Sequence, residues 1–483
     1  MESTPHEKFI QRYIAAANAI REQNHPSGPS QTETSTADAS LVPMRQLLAA
    51  QAQLLGQELR TSTPENGGTV NLDLVLQRLQ NLASVAMAKF YAYRHDLVPE
   101  GWRHLYTDAL ILKSLHSVVS SASWQGVLED DVLNSIVDSL DRALITTGGQ
   151  GSTLGPRWIE GTLSLLEEMQ REQFADQERP SKRHRTAEAV FSSEEPYGRL
   201  DMRADKTCRK YDGWTLDVFE DYMNDPNKSP EPIVLSGLLS DWPALDDRPW
   251  NSVEYLLSQT LDGRRLVPVE VGRSYVDEGW GQELVKFGDF LRRYITLDSP
   301  STDDDAPPAV GYLAQHDLFR QIPSLRGDTR TPDFCWADVP KHPTDPLRDQ
   351  GKLDVPQLNA WFGPARTITP LHCDGYHNLL CQVVGAKYVR LYPPTATPSM
   401  RPRAPEHGVD MSNTSALDLG VIEGWDELPD DAEEDYKGLR EELERLDYRE
   451  CVLEPGDTLL IPIGWWHYVR SLSISFSVSF WWN

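Results

Sequence analysis

The chain has 483 residues, 39% hydrophobic and 25% charged, with a formal net charge of −27. That length exceeds one ordinary core and implies two or more domains. The acidity excludes a general basic face for DNA or RNA and suits a basic protein or peptide partner, or serves only to keep the chain in solution.

Residues 1–175 read as an all-α region. Leu72, Val75, Leu79 and Leu82 recur at steps of three and four, as do Leu112, Leu115, Val118 and Val119, and then Leu128, Val132, Ile136, Leu140 and Leu144. This is the period of amphipathic helices packed on one another. Breaks fall at His25–Ser40, Thr61–Thr69 and Thr146–Gly155, and a last helix is expected over Trp158–Gln173. No fixed-period repeat and no ligand-like cluster occurs here, so the region reads as an interaction domain that binds a partner or dimerises. The opening MESTPHEKFIQRYI lacks the basic-then-apolar order of a signal peptide. No apolar run approaches the roughly 20 residues of a membrane span. Five scattered cysteines without a CxxC pair argue against a disulfide framework or zinc ribbon and for a reducing, intracellular setting.

Residues 176–195 read as a disordered linker of mixed charge. Its run Lys182, Arg183, His184, Arg185 follows a proline and has the form of a nuclear import signal, or of an ordinary charged linker. From about residue 196 the pattern changes to short runs of period two, cut by Pro, Gly and Asp. Strands are expected at Arg264–Val271, Lys387–Tyr392 and Thr458–Pro462. Another is expected where Ile474, Phe476, Val478 and Phe480 alternate with Ser475, Ser477 and Ser479, a half-buried pattern. Helical stretches precede them at Trp214–Asn224 and Val253–Ser258. Many short strands with such turns indicate a β-sandwich or barrel. The stretch Glu423–Arg449 reads as an acidic insertion with a solvated face.

Within this region Thr367–Asn378 places His372 and Asp374 two residues apart. On a strand, positions i and i+2 share a face, so an imidazole and a carboxylate converge. His467, after Gly464-Trp465-Trp466 at the end of the Thr458 strand, is the candidate third ligand. Two histidines and one carboxylate on one face of an octahedron leave three positions open, the geometry of non-haem Fe(II) oxygenases that use a chelating 2-oxo acid and O2; closed zinc sites leave no such room. Lys387 is either an edge-strand lysine whose amine reaches water or a partner for the distal carboxylate of 2-oxoglutarate.

The segments TITPLHCDGYHNLLCQVVGAKYVRLYPP and EPGDTLLIPIGWWHYVRSLSISFSVSFWW resemble the JmjC-domain Fe(II)/2-oxoglutarate oxygenases. Within them the likeness is to the JmjC-domain-containing protein 5 subgroup, described as arginyl hydroxylases and lysine demethylases. VPVEVGRSYVDEGW and GYLAQHDLFRQIPSL support that subgroup. The resemblance covers roughly residues 230–483 well and residues 1–195 poorly. It implies a double-stranded β-helix (jelly-roll, cupin-like) JmjC domain with flanking helices over 196–483, behind the helical domain. It implies Fe(II), 2-oxoglutarate and O2 as cofactors, with His372, Asp374 and His467 as metal ligands. Lys387, Thr369 and Tyr312 would hold the far carboxylate of the cosubstrate, Asn378 would line its pocket, and Trp361 and Trp481 would wall it. Glu270 and Trp280 would receive a cationic substrate side chain. Read from the residues alone, Glu270 is as well an edge-strand carboxylate and Trp280 a core aromatic. Cys373, inside the HxD motif, is expected to point away from the metal. The implied substrate is a basic protein (histone, ribosomal or chromatin-associated), met in the nucleus without direct nucleic-acid or membrane contact. Arginyl hydroxylation is favoured, because Glu270 suits a guanidinium. Lysine demethylation, a non-catalytic scaffold or chromatin adaptor, and a cupin metalloenzyme without 2-oxoglutarate are the rivals.

Overall fold

The computed structural model describes residues 3–24, 39–61, 70–93, 97–121, 128–177, 190–277, 279–295, 310–406, 408–427 and 435–483. The basic run Lys182–Arg185 lies outside them. The chain divides into two compact units, residues 1–185 with 264–266, and residues 186–263 with 267–483.

The first unit is all helix: α1 (Pro5–Asn24), α2 (Leu41–Thr61), α3 (Leu72–Ala92), α4 (Glu100–Val119), α5 (Asp130–Thr147) and α6 (Pro156–Gln177). Local chemistry sets their ends. Thr4 and Glu7 cap α1 reciprocally, each side chain accepting from the other's backbone N–H at 3.2 and 3.0 Å, with Pro5 as first helical residue. Helix α5 stops at Gly148, whose left-handed φ of 66° lets its N–H reach Leu144 O while Gly149 N–H reaches Ala143 O. Apolar residues at helical spacing close the core: Val75, Leu79 and Leu82 of α3, Ile111 and Leu115 of α4, and Ile136 and Leu140 of α5 are all buried. Each such side chain contributes about 1.5–3 kcal/mol of burial. Among the described residues no helix is long and apolar enough to cross a membrane. All five cysteines are free, and all are buried.

Among its described residues the second unit carries thirteen strands and several short helices, of which α7 (Leu216–Met223) and α8 (Val253–Ser258) cover the large sheet. The strands are β1 (Arg209–Asp212), β2 (Ile233–Ser236), β3 (Leu266–Val271), β4 (Gly281–Lys286), β5 (Gly311–His316), β6 (Gln357–Gly363) and β7 (Ile368–His372). They continue as β8 (His377–Val384), β9 (Lys387–Tyr392), β10 (Arg449–Leu453), β11 (Thr458–Ile461), β12 (Trp466–Ser471) and β13 (Ser475–Trp482). They form a nine-stranded sheet, β1-β2-β11-β8-β13-β6-β5-β3-β4, and a four-stranded sheet, β10-β9-β12-β7. The sequential interleaving of β7 to β13 between the two sheets is the expected double-stranded β-helix.

Both outer faces are covered. Phe219 of α7, Trp250 and Leu256 of α8 pack with Phe362, Phe476 and Phe480 on the outside of the large sheet; Phe362 and Phe476 stack with centroids 4.6 Å apart. Outside the small sheet, Leu417, Leu419, Ile422, Leu439 and Leu443 of the 401–448 segment pack on Tyr388, Tyr392, Trp466 and Tyr468.

This double cover corrects two expectations. Strand β13 is not half-buried: its serines face the barrel interior and are as buried as its phenylalanines. They survive there because each is hydrogen-bonded. Ser477 donates to Gln382 Oε1 at 2.7 Å, and Gln382 Nε2 donates to Ser475 Oγ at 2.8 Å and to Val384 O at 2.7 Å. Trp361 Nε1 donates to Ser479 Oγ at 2.9 Å. Nor is Glu423–Arg449 merely a solvated face. Glu423 is buried against Arg390, and Asp426 receives Arg470 bidentately at 2.8 and 2.9 Å.

Candidate metal centre

Strand pairing alone brings the two histidines together. In the β12–β7 ladder His467 is the direct partner of His372, and a one-residue bulge separates that pair from Val469–Thr369. Bulges of this kind re-aim side chains beside functional sites. His467 is therefore the second residue of β12 and not the tail of the Thr458 strand, as the sequence suggested. Asp374 also departs from expectation: β7 ends at His372, and Asp374 stands in the loop beyond it.

Their ligand atoms all lie within 4.8 Å of one another. Nε2 of His372 is 3.7 Å from Asp374 Oδ1, and Nε2 of His467 is 3.7 Å from Asp374 Oδ2. Each ring's Nδ1 faces a backbone carbonyl, Pro370 O at 2.8 Å and Trp465 O at 3.0 Å. That assigns the proton to Nδ1 and leaves both Nε2 lone pairs free toward one point. Burial raises the Asp374 carboxyl, against the pull of His372, and drives His467 well below the usual histidine range. A buried carboxylate and two imidazole lone pairs directed at one point form a donor set that would hold a divalent metal.

The pocket around them is drawn from both sheets. Tyr312, Trp361, Asn378, Leu380 and Ile461 come from the large sheet, and Thr369, Lys387 and Val469 from the small one. Lys387 does not reach water: β9 is internal to its sheet and the residue is 1% exposed. Its Nζ donates to Tyr312 Oη at 3.2 Å, and burial pushes its ammonium down to about 7. Burial raises the Tyr312 hydroxyl, and the neighbouring Thr369 side chain opposes that rise. Asn378 Oδ1 is buried without a partner. Trp481 is not among the residues lining this pocket; it pairs with Asn378 across β13 and β8 and stacks on Tyr376 at 5.9 Å.

Glu270 is no edge-strand residue, since β3 lies between β5 and β4. It sits directly opposite Tyr312, so the two side chains share a face. Burial raises its carboxyl, opposed by the Trp280 indole and the Gln282 amide, although the indole makes no well-aligned hydrogen bond to it. Among the described residues Glu270 has no cationic partner. Trp280 is half-buried and outside the core clusters. Tyr275 escaped sequence reasoning: it feels both Asp374 and Glu270, and burial pushes its hydroxyl up to about 12. Its only sequence signal was its place between Glu270 and Trp280. Cys373 Sγ accepts from Arg348 Nη1 at 3.2 Å, as its expected direction requires. A larger cleft of about 830 Å3 is lined by Pro340, Pro394, Pro462 and Trp465 among others. The convergent ligand set lies in the smaller pocket, and the chemistry is assigned there.

A family model described as a cupin-like domain matches residues 217–483. The chain belongs to the JmjC-type cupin-like family. It is 42% identical over 271 residues to "Lysine-specific demethylase 8" of Danio rerio, covering 56% of each chain. It is 39% identical over 277 residues to "Lysine-specific demethylase JMJ30" of Arabidopsis thaliana, covering 57% of this chain and 56% of that one. To "Jumonji C domain-containing protein 5" of Drosophila melanogaster it is 36% identical over 264 residues, 55% of this chain and 57% of the other. The chain thus matches little more than half the length of these relatives. The span of the family model, residues 217–483, holds the His372–Asp374–His467 cluster and Lys387.

Proposed function

We propose that this chain is an Fe(II)- and 2-oxoglutarate-dependent oxygenase of a protein side chain, and that its reaction is arginyl hydroxylation. The observation that carries the oxygenase reading is Lys387. A lysine buried in the same pocket as a His-Asp-His cluster, with no carboxylate paired to it among the described residues and Tyr312 Oη as its hydrogen-bond partner, is costly to bury unless an anion reaches it. When bound, the metal with 2-oxoglutarate and O2 supplies the oxidative chemistry, in which the cosubstrate becomes succinate and CO2 and one oxygen atom goes to a substrate C–H bond.

The chain's own residues bind, orient and shield. His372, Asp374 and His467 would hold the ion. Lys387, Tyr312 and Thr369 would hold the cosubstrate's far carboxylate, and Asn378 lines the same pocket. Trp361, Leu380, Ile461 and Val469 exclude water. Glu270, half-buried and without a cationic partner among the described residues, suits the two parallel N–H donors of a guanidinium, with Trp280 against its face. A basic peptide of a histone, ribosomal or chromatin-associated protein fits the acidic chain, and the basic run near residue 182 fits nuclear entry.

Succinate release from 2-oxoglutarate by anaerobically iron-loaded protein exposed to air is the first test. Iron-dependent turnover in wild type, lost in His372→Ala, is expected; no turnover even with a pool of basic peptides would transfer the function to a non-catalytic scaffold. The names of two relatives favour lysine demethylation as second reading. Mass spectrometry separates the two: oxygen added to arginine supports the proposal, and loss of methyl from lysine without oxygen on arginine overturns it.

A further inference from the structure

The turn of residues 462–465 joins β11 to β12 and also aims a ligand. Its last carbonyl, Trp465 O, accepts from His467 Nδ1 at 3.0 Å and so fixes that ring's tautomer and orientation. The turn's central amides are tied in their own right. Ile463 N–H donates to His377 Nδ1 at 3.2 Å, and Gly464 N–H donates to the carbonyl of Asp374 at 3.2 Å. His377 is fully buried, and its Nε2–H donates to Pro340 O at 2.8 Å.

Two residues beyond Pro340, His342 takes backbone N–H donors from Thr344 and Asp345 on Nδ1, at 3.3 and 3.0 Å. Its proton is therefore on Nε2, and that edge lies against Gly464. A Cβ at Gly464 would stand 2.3 Å from His342 Nε2, and its φ of 78° independently favours glycine. Farther along, Arg348 donates to Cys373 Sγ at 3.2 Å and to Ser412 O at 3.2 Å. Cys373 is the residue between His372 and Asp374.

We infer that the loop of residues 340–348 is a clamp on the metal centre. Through His377 and His342 it sets the turn that aims His467, and through Arg348 it holds the side chain of Cys373, the residue between the other two ligands. These are positioning residues, and none offers a ligand atom to the cluster. Strand register brings His372 and His467 near one another; the clamp fixes where their lone pairs point. The inference rests on the metal-centre reading, and its test needs no turnover.

The full-length protein is titrated with Co(II), whose absorption spectrum reports ligand geometry and whose titration gives affinity. His377→Gln can keep both bonds, its amide oxygen for Ile463 N–H and its amide nitrogen for Pro340 O. His377→Phe fills the volume and keeps neither. Arg348→Met keeps the stem and loses the donors. His377→Phe and Arg348→Met are each expected to weaken Co(II) binding about tenfold or more and to shift the spectrum, with His377→Gln close to wild type. Should His377→Phe fail to fold by circular dichroism, Arg348→Met decides, since its side chain is 27% exposed and outside the cores. Folded variants with wild-type affinity and spectrum overturn the clamp alone. Wild-type protein that takes up no Co(II) overturns the metal-centre reading and the clamp with it.

Discussion

Lys387 is the residue at which folding and binding pull in opposite directions. Its burial is unfavourable in the ligand-free protein and becomes favourable only against a carboxylate. Lys387→Met is therefore expected to leave the ligand-free melting temperature unchanged or raised. It should weaken 2-oxoglutarate by at least about a hundredfold, the scale of losing one partner of a buried ion pair; calorimetric titration and thermal shift with and without the cosubstrate check both. Proton linkage follows from the same residue. The folded ammonium sits at about 7, and an unfolded lysine near 10.4. Between those values the unfolded chain binds more protons, so Lys387's contribution makes stability rise with pH across that window and flat below it. Anion binding restores the charge, so it takes up a proton there. At pH 8 roughly nine-tenths of this lysine is neutral before binding. Titrations in buffers of different ionisation heat should then show nearly one proton taken up by wild type and none by Lys387→Met. Equal uptake in both would refute the assignment.

At the scale of elements, β8 and β13 share a polar seam inside the barrel. Gln382 serves Ser475, Ser477 and the carbonyls of Val384 and Gly385 at once. Gln382→Leu strands these buried groups and should cost about 2–4 kcal/mol, read by urea unfolding; a loss below about 0.5 kcal/mol would mean that water replaces the amide. This seam was invisible in the sequence for a plain reason. Alternation of Phe and Ser divides a strand into two faces and says nothing of what lies over each. The helices were legible because Val75, Leu79 and Leu82 need only a local period. The ligand triad was legible because HxD and a late histidine are local patterns too; Lys387 was readable as an anion partner or an edge lysine, and the family resemblance favoured the first. His342, His377 and Arg348 were not, since what each meets across the fold, Gly464, the backbone of Pro340 and Ile463, and Cys373 Sγ, lies far off in sequence. Tyr275 was missed because a tyrosine in a loop carries no pattern.

For the molecule as a whole, a formal charge of −27 conceals a mixed interior. Asp426, in a stretch that composition marks as simply acidic, gathers Arg273, Arg366 and Arg470 from three separate parts of the second unit. Arg273 also binds Asp277 and Asp418, so the 401–448 segment is tied to the segment that carries Tyr275 and Trp280. Asp426→Ala leaves Arg470 buried without its carboxylate. It should destabilise this unit by about 3–5 kcal/mol and speed amide exchange over residues 272–280; unchanged exchange there would show that the segment is held by other means.

The pairing of His467 with His372 has a consequence for how the small sheet comes to be zipped. A strand slipped by one residue presents its other face. Slippage of β12 against β7 would turn His467 outward and dismantle the triad while leaving most backbone bonds remade. An ion held by the triad at a hundred times its dissociation constant adds about 2.7 kcal/mol to the correct alignment and nothing to the slipped one. Metal bound by the triad during folding would thereby favour the native alignment of β12 over the slipped one.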